Sequence, residues 1–222
     1  MHYWRKLHCY DEYFVDELTA IAAICGALMI GVISPGPSFL LIARTSVAAS
    51  RRAGVAAALG MGVGGVIYAG AALLGLQVLF AAVPWLYALF KVIGGAYLVY
   101  LGWRIWRGAA RPMEITATAT GPHGAWRALL LGLSTQLANP KTALVYTSVF
   151  AALLPPAFSW WAAFVLLLAV AVIESGWYAL VALALSASGP RASYLRYKVR
   201  IDRVAGGVLA ALGIKLVIAR SA

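Results

Sequence analysis

Long runs of apolar residues, broken at a few points by proline and charge, dominate the chain. No charged residue occurs at positions 18–43 or at positions 53–90. A membrane-spanning helix needs about 20 mostly apolar residues, so the first run predicts one span. The second run is too long for one span; Pro84 marks the corner that ends the second span, and a third span is predicted from about residue 85 to residue 103. Further spans are predicted over residues 126–154, 158–186 and 204–219. The pattern predicts an all-α, polytopic membrane protein with about six transmembrane helices.

The same pattern divides the chain into two halves of three spans each. We predict an N-terminal tail over residues 1–17, a first three-helix repeat over 18–107, a linker over 108–125 and a second three-helix repeat over 126–222. The first span of each half contains a proline interruption, and the third span of each half contains a Gly-Gly pair, at Gly94-Gly95 and at Gly206-Gly207. Because each half holds an odd number of spans, the two repeats are predicted to be inverted relative to each other, as in many transporters.

Composition excludes most soluble classes. Hydrophobic residues make up 63% of the chain and charged residues 11%, whereas an ordinary soluble domain has about 25% charged residues. A cytosolic enzyme, a secreted disulfide scaffold and a disordered chain are therefore excluded.

The net charge of +11 is interpreted as a sign of orientation, because basic residues collect in cytoplasmic loops. Nucleic acid is not an expected partner. Twelve of the 18 basic residues fall in the three connections that share one side of a six-span protein. The bias predicts that these loops are cytoplasmic and that both termini lie outside, with a five-span model or a tail that stays inside as the alternatives. The twelve are Arg44, Arg51, Arg52, Arg104, Arg107, Arg111, Arg127, Arg191, Arg196, Lys198, Arg200 and Arg203.

The proline interruptions predict a site. Proline has no N–H, so Pro35 and Pro37 free the carbonyls of Gly31 and Ile33. Within a bilayer, freed carbonyls are tolerated only where protein or a water-filled cavity satisfies them. We therefore expect a broken first helix with Ser34 and Gly36 at the break, although a simple proline kink is the alternative.

A matching interruption occurs in the fourth span, at Asn139-Pro140. Pro140 frees the carbonyl of Gln136 in the same way. Paired interruptions in corresponding spans of two halves are the strongest sequence pointer to a transport site. Freed carbonyls would suit a substrate ammonium group, and the N-terminus of a half-helix would suit a carboxylate.

Two charged residues fall near the middle of predicted spans. Lys141 lies 14 residues from both Arg127 and Pro155, or about 21 Å from each end at 1.5 Å per residue. Glu174 is similarly deep, and Tyr178 shares its helix face. Charges at this depth are costly and usually serve a function. Lys141 would hold the substrate carboxylate or neutralise Glu174, and Glu174 would bind the ammonium group or carry a coupling proton. A buried ion pair that only braces the bundle is the alternative.

The predicted substrate-binding residues come from these three features. They are Ser34, Pro35, Gly36, Pro37, Gln136, Asn139, Pro140, Lys141, Glu174 and Tyr178. No metal site and no cofactor is predicted. The spacing of Gly60 and Gly64 in the second span predicts close helix packing.

These motifs resemble the signatures of the lysine exporter (LysE/RhtB) family of bacterial amino-acid efflux proteins. The resemblance rests on Ser34-Pro35-Gly36-Pro37 followed by Arg44, Arg51 and Gly54, on Asn139-Pro140-Lys141, and on the Gly-Gly patterns of the third and sixth spans. It implies a secondary transporter of the bacterial inner membrane that is not an enzyme. Such a protein would export amino acids or related small zwitterions from the cytoplasm, with protons as the coupling ion. The tail at 1–17 departs from the family, whose members usually begin close to the first span.

Other classes remain as alternatives. An exporter of cations or metals would usually need several carboxylates or soft ligands in the spans, which here contain one Glu. A non-transporting assembly or lipid-binding membrane protein would explain the helices but not the two matched proline interruptions. The resemblance does not select one amino acid as the substrate. It also does not decide between a monomer and a homo-oligomer.

Overall fold

The computed structural model describes residues 2–83, 85–111, 124–156 and 158–218. These residues form eight helices and no strand, which confirms the prediction of an all-α chain. The helices are α1 (His2–Ile33), α2 (Pro37–Ala48), α3 (Arg51–Ala82), α4 (Trp85–Gly108), α5 (Ala125–Ala138), α6 (Pro140–Leu153), α7 (Trp160–Leu185) and α8 (Ser188–Ile218).

Four stretches within the described helices are long and apolar enough to cross a bilayer. They lie in α1, α3, α4 and α7 and cover Val15–Ile33, Arg51–Phe80, Trp85–Gly108 and Trp160–Leu185. The helices α5 and α6 are too short individually, with 14 residues each. The last 18 residues of α8 include Asp202, Arg203 and Lys215, which interrupt its apolar character. The chain is therefore a multi-pass membrane protein.

Helix boundaries follow local sequence signals. Proline stands at the first position of α2 and α6, where its missing N–H costs nothing. The side chains of Ser50 and Ser159 cap α3 and α7 by accepting hydrogen bonds from backbone N–H groups three residues later.

Helix boundaries occur at the two ends of the predicted linker but not at the end of the predicted tail. Helix α4 ends at Gly108 and α5 begins at Ala125, which are the first and last residues of the predicted linker. Residues 112–123 of that linker, Pro84 and residues 219–222 lie outside the described residues. No helix boundary separates the predicted tail from the first span, because α1 is continuous from His2. The Glu17 carboxylate accepts hydrogen bonds from the N–H and hydroxyl groups of Ser159 at the start of α7.

Glycines allow the helix backbones to approach closely. A methyl group on Gly60 of α3 would meet the backbone of Leu129 and Leu133 in α5, and one on Gly132 would meet the backbone of Ala57. The α4–α8 contact has a reciprocal pattern: Gly95 and Gly102 each oppose a glycine of α8, namely Gly213 and Gly206, and each of those opposes its partner in return. From the first contact to the second, the residue number rises in α4 and falls in α8. The two helices therefore pack antiparallel.

Gly102→Ala is expected to destabilise the protein, because the added methyl group would overlap the backbone of α8. Overpacking of this kind costs about 1–3 kcal/mol. The measurement is the thermal midpoint of the purified protein in detergent. Gly75→Ala is the matched control, since nothing lies within 4 Å of its new methyl group. Equal midpoints for the two variants would contradict the packing described here.

Candidate functional site

The first interruption separates α1 from α2. Helix α1 ends at Ile33, and α2 begins at Pro37 after an extended Gly36 with φ −146° and ψ −167°. Ser34 is buried at the break. The structure therefore contains a broken helix at this point and not a simple kink.

The second interruption separates α5 from α6 at a single residue. Asn139 ends α5 and begins α6, with φ −80° and ψ 108°. Its side-chain oxygen accepts a hydrogen bond of 3.0 Å from the backbone N–H of Lys141. The start of α6 is thereby fixed by a capping contact directly beside Pro140.

Lys141 joins the two interruptions. Its Nζ atom donates hydrogen bonds to the carbonyl oxygens of Gly31 at 3.0 Å and of Ser34 at 2.6 Å. The Gly31 carbonyl is the one that Pro35 was predicted to free. The second acceptor is Ser34 and not Ile33, because the backbone leaves the helix at Ser34. A methyl group on Gly36 would lie 3.2 Å from Lys141 Cδ, so the lysine stem passes directly against this glycine.

A chain of buried hydrogen bonds connects both interruptions to Glu174. Asn139 Nδ2 donates to Ser38 Oγ at 2.8 Å, and Ser38 Oγ donates to Gln136 Oε1 at 2.8 Å. Gln136 Nε2 then donates to Glu174 Oε2 at 2.9 Å, and Tyr146 Oη donates to the other carboxylate oxygen at 2.8 Å. Four helices contribute to this polar chain, which are α2, α5, α6 and α7. It crosses the interior of the bundle.

Lys141 and Glu174 do not form the direct ion pair considered from the sequence. An ion pair within 4.0 Å joins Lys198 to Asp202 instead. The Lys141 ammonium group binds carbonyl oxygens, and both oxygens of Glu174, which is 1% exposed, accept from uncharged donors. The two charges therefore belong to one site but are satisfied separately.

Two cavities adjoin the interruptions. An inner cavity of about 20 Å³ is lined by six predicted site residues, which are Ser34, Gly36, Asn139, Lys141, Glu174 and Tyr178. An outer cavity of about 700 Å³ is lined by seven, which are Ser34, Pro35, Gly36, Pro37, Asn139, Pro140 and Lys141. Gln136 lines neither cavity and is connected to the site through its hydrogen bonds. The outer cavity has the size of a small-molecule site.

Charged side chains line the outer cavity away from the interruptions. They are Arg44, Arg104, Arg111, Lys198 and Asp202. Burial raises the pKa of the Asp202 carboxyl, whereas the hydrogen bond and charge of Lys198 lower it. We call this group of five residues the cavity mouth.

Sequence reasoning missed Ser38, Tyr146 and Asp202. Ser38 directly follows Pro37 and lies in the first turn of α2. This position beside the interruption is the signal that could have identified it. No pattern in the sequence indicates that Tyr146 faces Glu174. Asp202 precedes the predicted sixth span, which begins at residue 204, so no depth argument applies to it.

Glycines of α3 make room for the polar chain. A methyl group on Gly65 would lie 2.8 Å from both Glu174 Cγ and Tyr146 Oη. We therefore expect Gly65→Ala to break the Tyr146–Glu174 hydrogen bond and to lower the thermal midpoint of the purified protein in detergent. Gly70→Ala in the same helix is the control, since its methyl group meets nothing within 4 Å. A wild-type midpoint in Gly65→Ala would contradict this arrangement.

The fold defines a class: a helical membrane protein whose buried polar side chains meet at paired helix interruptions. Comparison with known proteins then gives the family. Residues 21–220 match the family described as LysE type translocator, and the chain belongs to this family. It is accordingly a transport protein and not an enzyme, as the resemblance implied.

Individual relatives agree with this membership. The chain is 34% identical over 194 residues to the threonine efflux protein of Escherichia coli K12 and 33% identical over 199 residues to that of Salmonella typhi, with 86% of this chain and 94% of the relative covered in both cases. It is 35% identical over 130 residues to the leucine efflux protein of Salmonella choleraesuis, with 57% of this chain and 59% of the relative covered. No solved structure matches the chain significantly.

Proposed function

We propose that the chain is a secondary transporter that exports amino acids or related small zwitterions from the cytoplasm across the bacterial inner membrane, with protons as the coupling ion. The observation that carries the proposal is the meeting of two helix interruptions at Lys141, beside a cavity of about 700 Å³. The relatives named for threonine efflux and leucine efflux support an amino acid as the substrate.

The proposed topology has six spans in two inverted repeats, over residues 18–107 and 126–222. Helices α1 and α2 form the first span, and α5 and α6 form the fourth. At 14 residues each and 1.5 Å per residue, α5 and α6 together extend about 42 Å, enough to cross the hydrocarbon core. The reciprocal glycine contacts between α4 and α8 support a pseudo-two-fold axis between the repeats.

The outer cavity is proposed to face the cytoplasm. Four of the five charged residues at the cavity mouth are basic, namely Arg44, Arg104, Arg111 and Lys198. Basic residues favour the cytoplasmic side of a membrane protein. An exporter must load its substrate from that side, so the conformation fits a loading state.

The interruptions offer complementary groups for a zwitterion. The carbonyls of Gly31 and Ser34 already hold one ammonium group, that of Lys141, and are suited to hold the ammonium group of a substrate in its place. The N-termini of α2 and α6 carry partial positive charge, so they favour a carboxylate, as does the displaced Lys141. The prolines and Gly36 shape this pocket, and Tyr178 closes its inner wall.

Glu174 is the proposed proton carrier. An ionised carboxylate only accepts hydrogen bonds, and Glu174 accepts from Gln136 and Tyr146. A proton on Glu174 would turn one acceptor into a donor and force one of these bonds to rearrange. Gln136 also binds Ser38, and Ser38 binds Asn139, so the rearrangement would reach both interruptions.

The test is efflux from bacterial cells that express the protein and are loaded with dipeptides of each candidate amino acid. We expect faster appearance of at least one amino acid outside the cells than in vector controls, and loss of this difference when a proton uncoupler is added. No difference for any amino acid would contradict amino-acid export. A difference that survives the uncoupler would contradict proton coupling alone.

A further inference from the structure

The cavity mouth contains a buried carboxylate with an unused oxygen. Asp202 of α8 is 4% exposed, and its Oδ2 accepts a hydrogen bond from Lys198. Its Oδ1 is buried and has no hydrogen-bond partner among the described residues. An unsatisfied buried acceptor costs about 1–3 kcal/mol, so native proteins usually supply a partner. Because Asp202 lines the outer cavity, a donor can come from a bound molecule.

Lys198 holds this carboxylate in place. Its Nζ donates 2.9 Å hydrogen bonds to Asp202 Oδ2 and to the carbonyl oxygen of Ala109, which directly follows α4. Lys198 is itself 7% exposed. The pair therefore fixes the carboxylate where α8 meets the end of α4, with one oxygen left for another donor.

Groups of the opposite charge line the same cavity. Arg104 and Arg111 come from the end of α4 and its continuation, and both are exposed. The Arg104 guanidinium lies over the ring of Tyr100, 5.8 Å from its centre. Arginine keeps its charge and binds carboxylates with two parallel hydrogen bonds. The cavity mouth thus presents an acceptor that suits an ammonium group and donors that suit a carboxylate.

We propose that the cavity mouth is a second, outer subsite for a zwitterionic amino acid, in which Asp202 Oδ1 accepts the ammonium group and Arg104 binds the carboxylate. This subsite rests on the proposed function and adds a loading position before the helix interruptions. The two positions are distinct, because Asp202 does not line the inner cavity and Glu174 does not line the outer one. Lys141 lines both, so it stands between them.

The experiment measures binding stoichiometry by equilibrium dialysis. Purified protein in lipid nanodiscs is titrated with tritiated L-threonine and, in a second series, with tritiated L-leucine. We expect two equivalents per wild-type chain for a transported amino acid. Asp202→Asn should bind one, whereas Lys141→Met should keep only the equivalent that depends on Asp202. Asp16→Asn removes an exposed acid of α1 and should still bind two.

Arg104→Gln provides a second variant that does not depend on a buried residue. Loss of its charge-assisted hydrogen bonds should weaken one of the two binding events by about tenfold and leave the other unchanged. The outer subsite would be overturned if the wild type bound one equivalent of amino acid and Asp202→Asn bound it with the same affinity. This result would leave the proposed function standing. If Asp202→Asn does not fold, two unchanged affinities in Arg104→Gln would overturn it. No binding of either amino acid to the wild type would count against both proposals.

Discussion

Glu174→Gln is expected to abolish amino-acid export while the protein remains folded and inserted. Glutamine has the shape of glutamate but cannot carry the coupling proton. Its amide also has one acceptor oxygen, so it cannot accept from both Gln136 and Tyr146 as the carboxylate does. The lost hydrogen bond leaves one buried donor unsatisfied and should cost about 1–3 kcal/mol of stability, which a protein stable by about 5–15 kcal/mol tolerates. The measurement is efflux from dipeptide-loaded cells, with the amount of membrane-inserted protein determined in parallel.

Asp16→Asn is the matched control for Glu174→Gln. It removes an acidic side chain from α1 that is exposed and lines neither cavity, so it should export at the wild-type rate. Full efflux by Glu174→Gln at wild-type protein levels would rule out the coupling role.

Lys141→Met is expected to abolish both export and binding at the helix interruptions. The change leaves the carbonyl oxygens of Gly31 and Ser34 without their donor, at a cost of about 1–3 kcal/mol for each unsatisfied group. The variant should therefore unfold at a lower temperature than the wild type. It should also fail to transport in the fraction that remains folded, because the positive charge at the interruptions is gone.

Lys215→Met separates this effect from general loss of a membrane lysine. Lys215 lies near the end of α8 and is exposed, so its replacement should change neither thermal midpoint nor export. Wild-type export by Lys141→Met would contradict a transport site at the interruptions, even if the protein were less stable.

Apolar runs and proline chemistry predicted an all-helical chain with two helix interruptions. The prolines at positions 35, 37 and 140 predicted both interruptions, because the missing N–H has the same consequence in any helix. The shared helix face of Glu174 and Tyr178 also followed from spacing alone. The sequence predicts a sixth span over residues 204–219, whereas α8 already begins at Ser188, because the polar first half of this helix lacks the apolar pattern of a span.

The contacts within the site could not be derived in the same way. Depth estimates put Lys141 and Glu174 at similar levels and suggested a pair, but side-chain partners depend on how helices rotate against each other. Lys141 donates to the carbonyl oxygens of Gly31 in α1 and of Ser34 at the break, whereas Glu174 accepts from Gln136 and Tyr146. The role of Gly65 is likewise visible only in the folded structure, because the missing side chain leaves space for Glu174 and Tyr146 of neighbouring helices.

The most direct test of amino-acid transport is counterflow with the purified protein. Liposomes that contain the protein are loaded with unlabelled L-threonine or another single amino acid and diluted into a trace of the same labelled compound. We predict a transient accumulation of label for at least one amino acid with the wild type, and none with Lys141→Met. Because counterflow needs no proton gradient, the result does not depend on the coupling ion. The absence of accumulation for every amino acid, with folded wild-type protein, would contradict the proposed function.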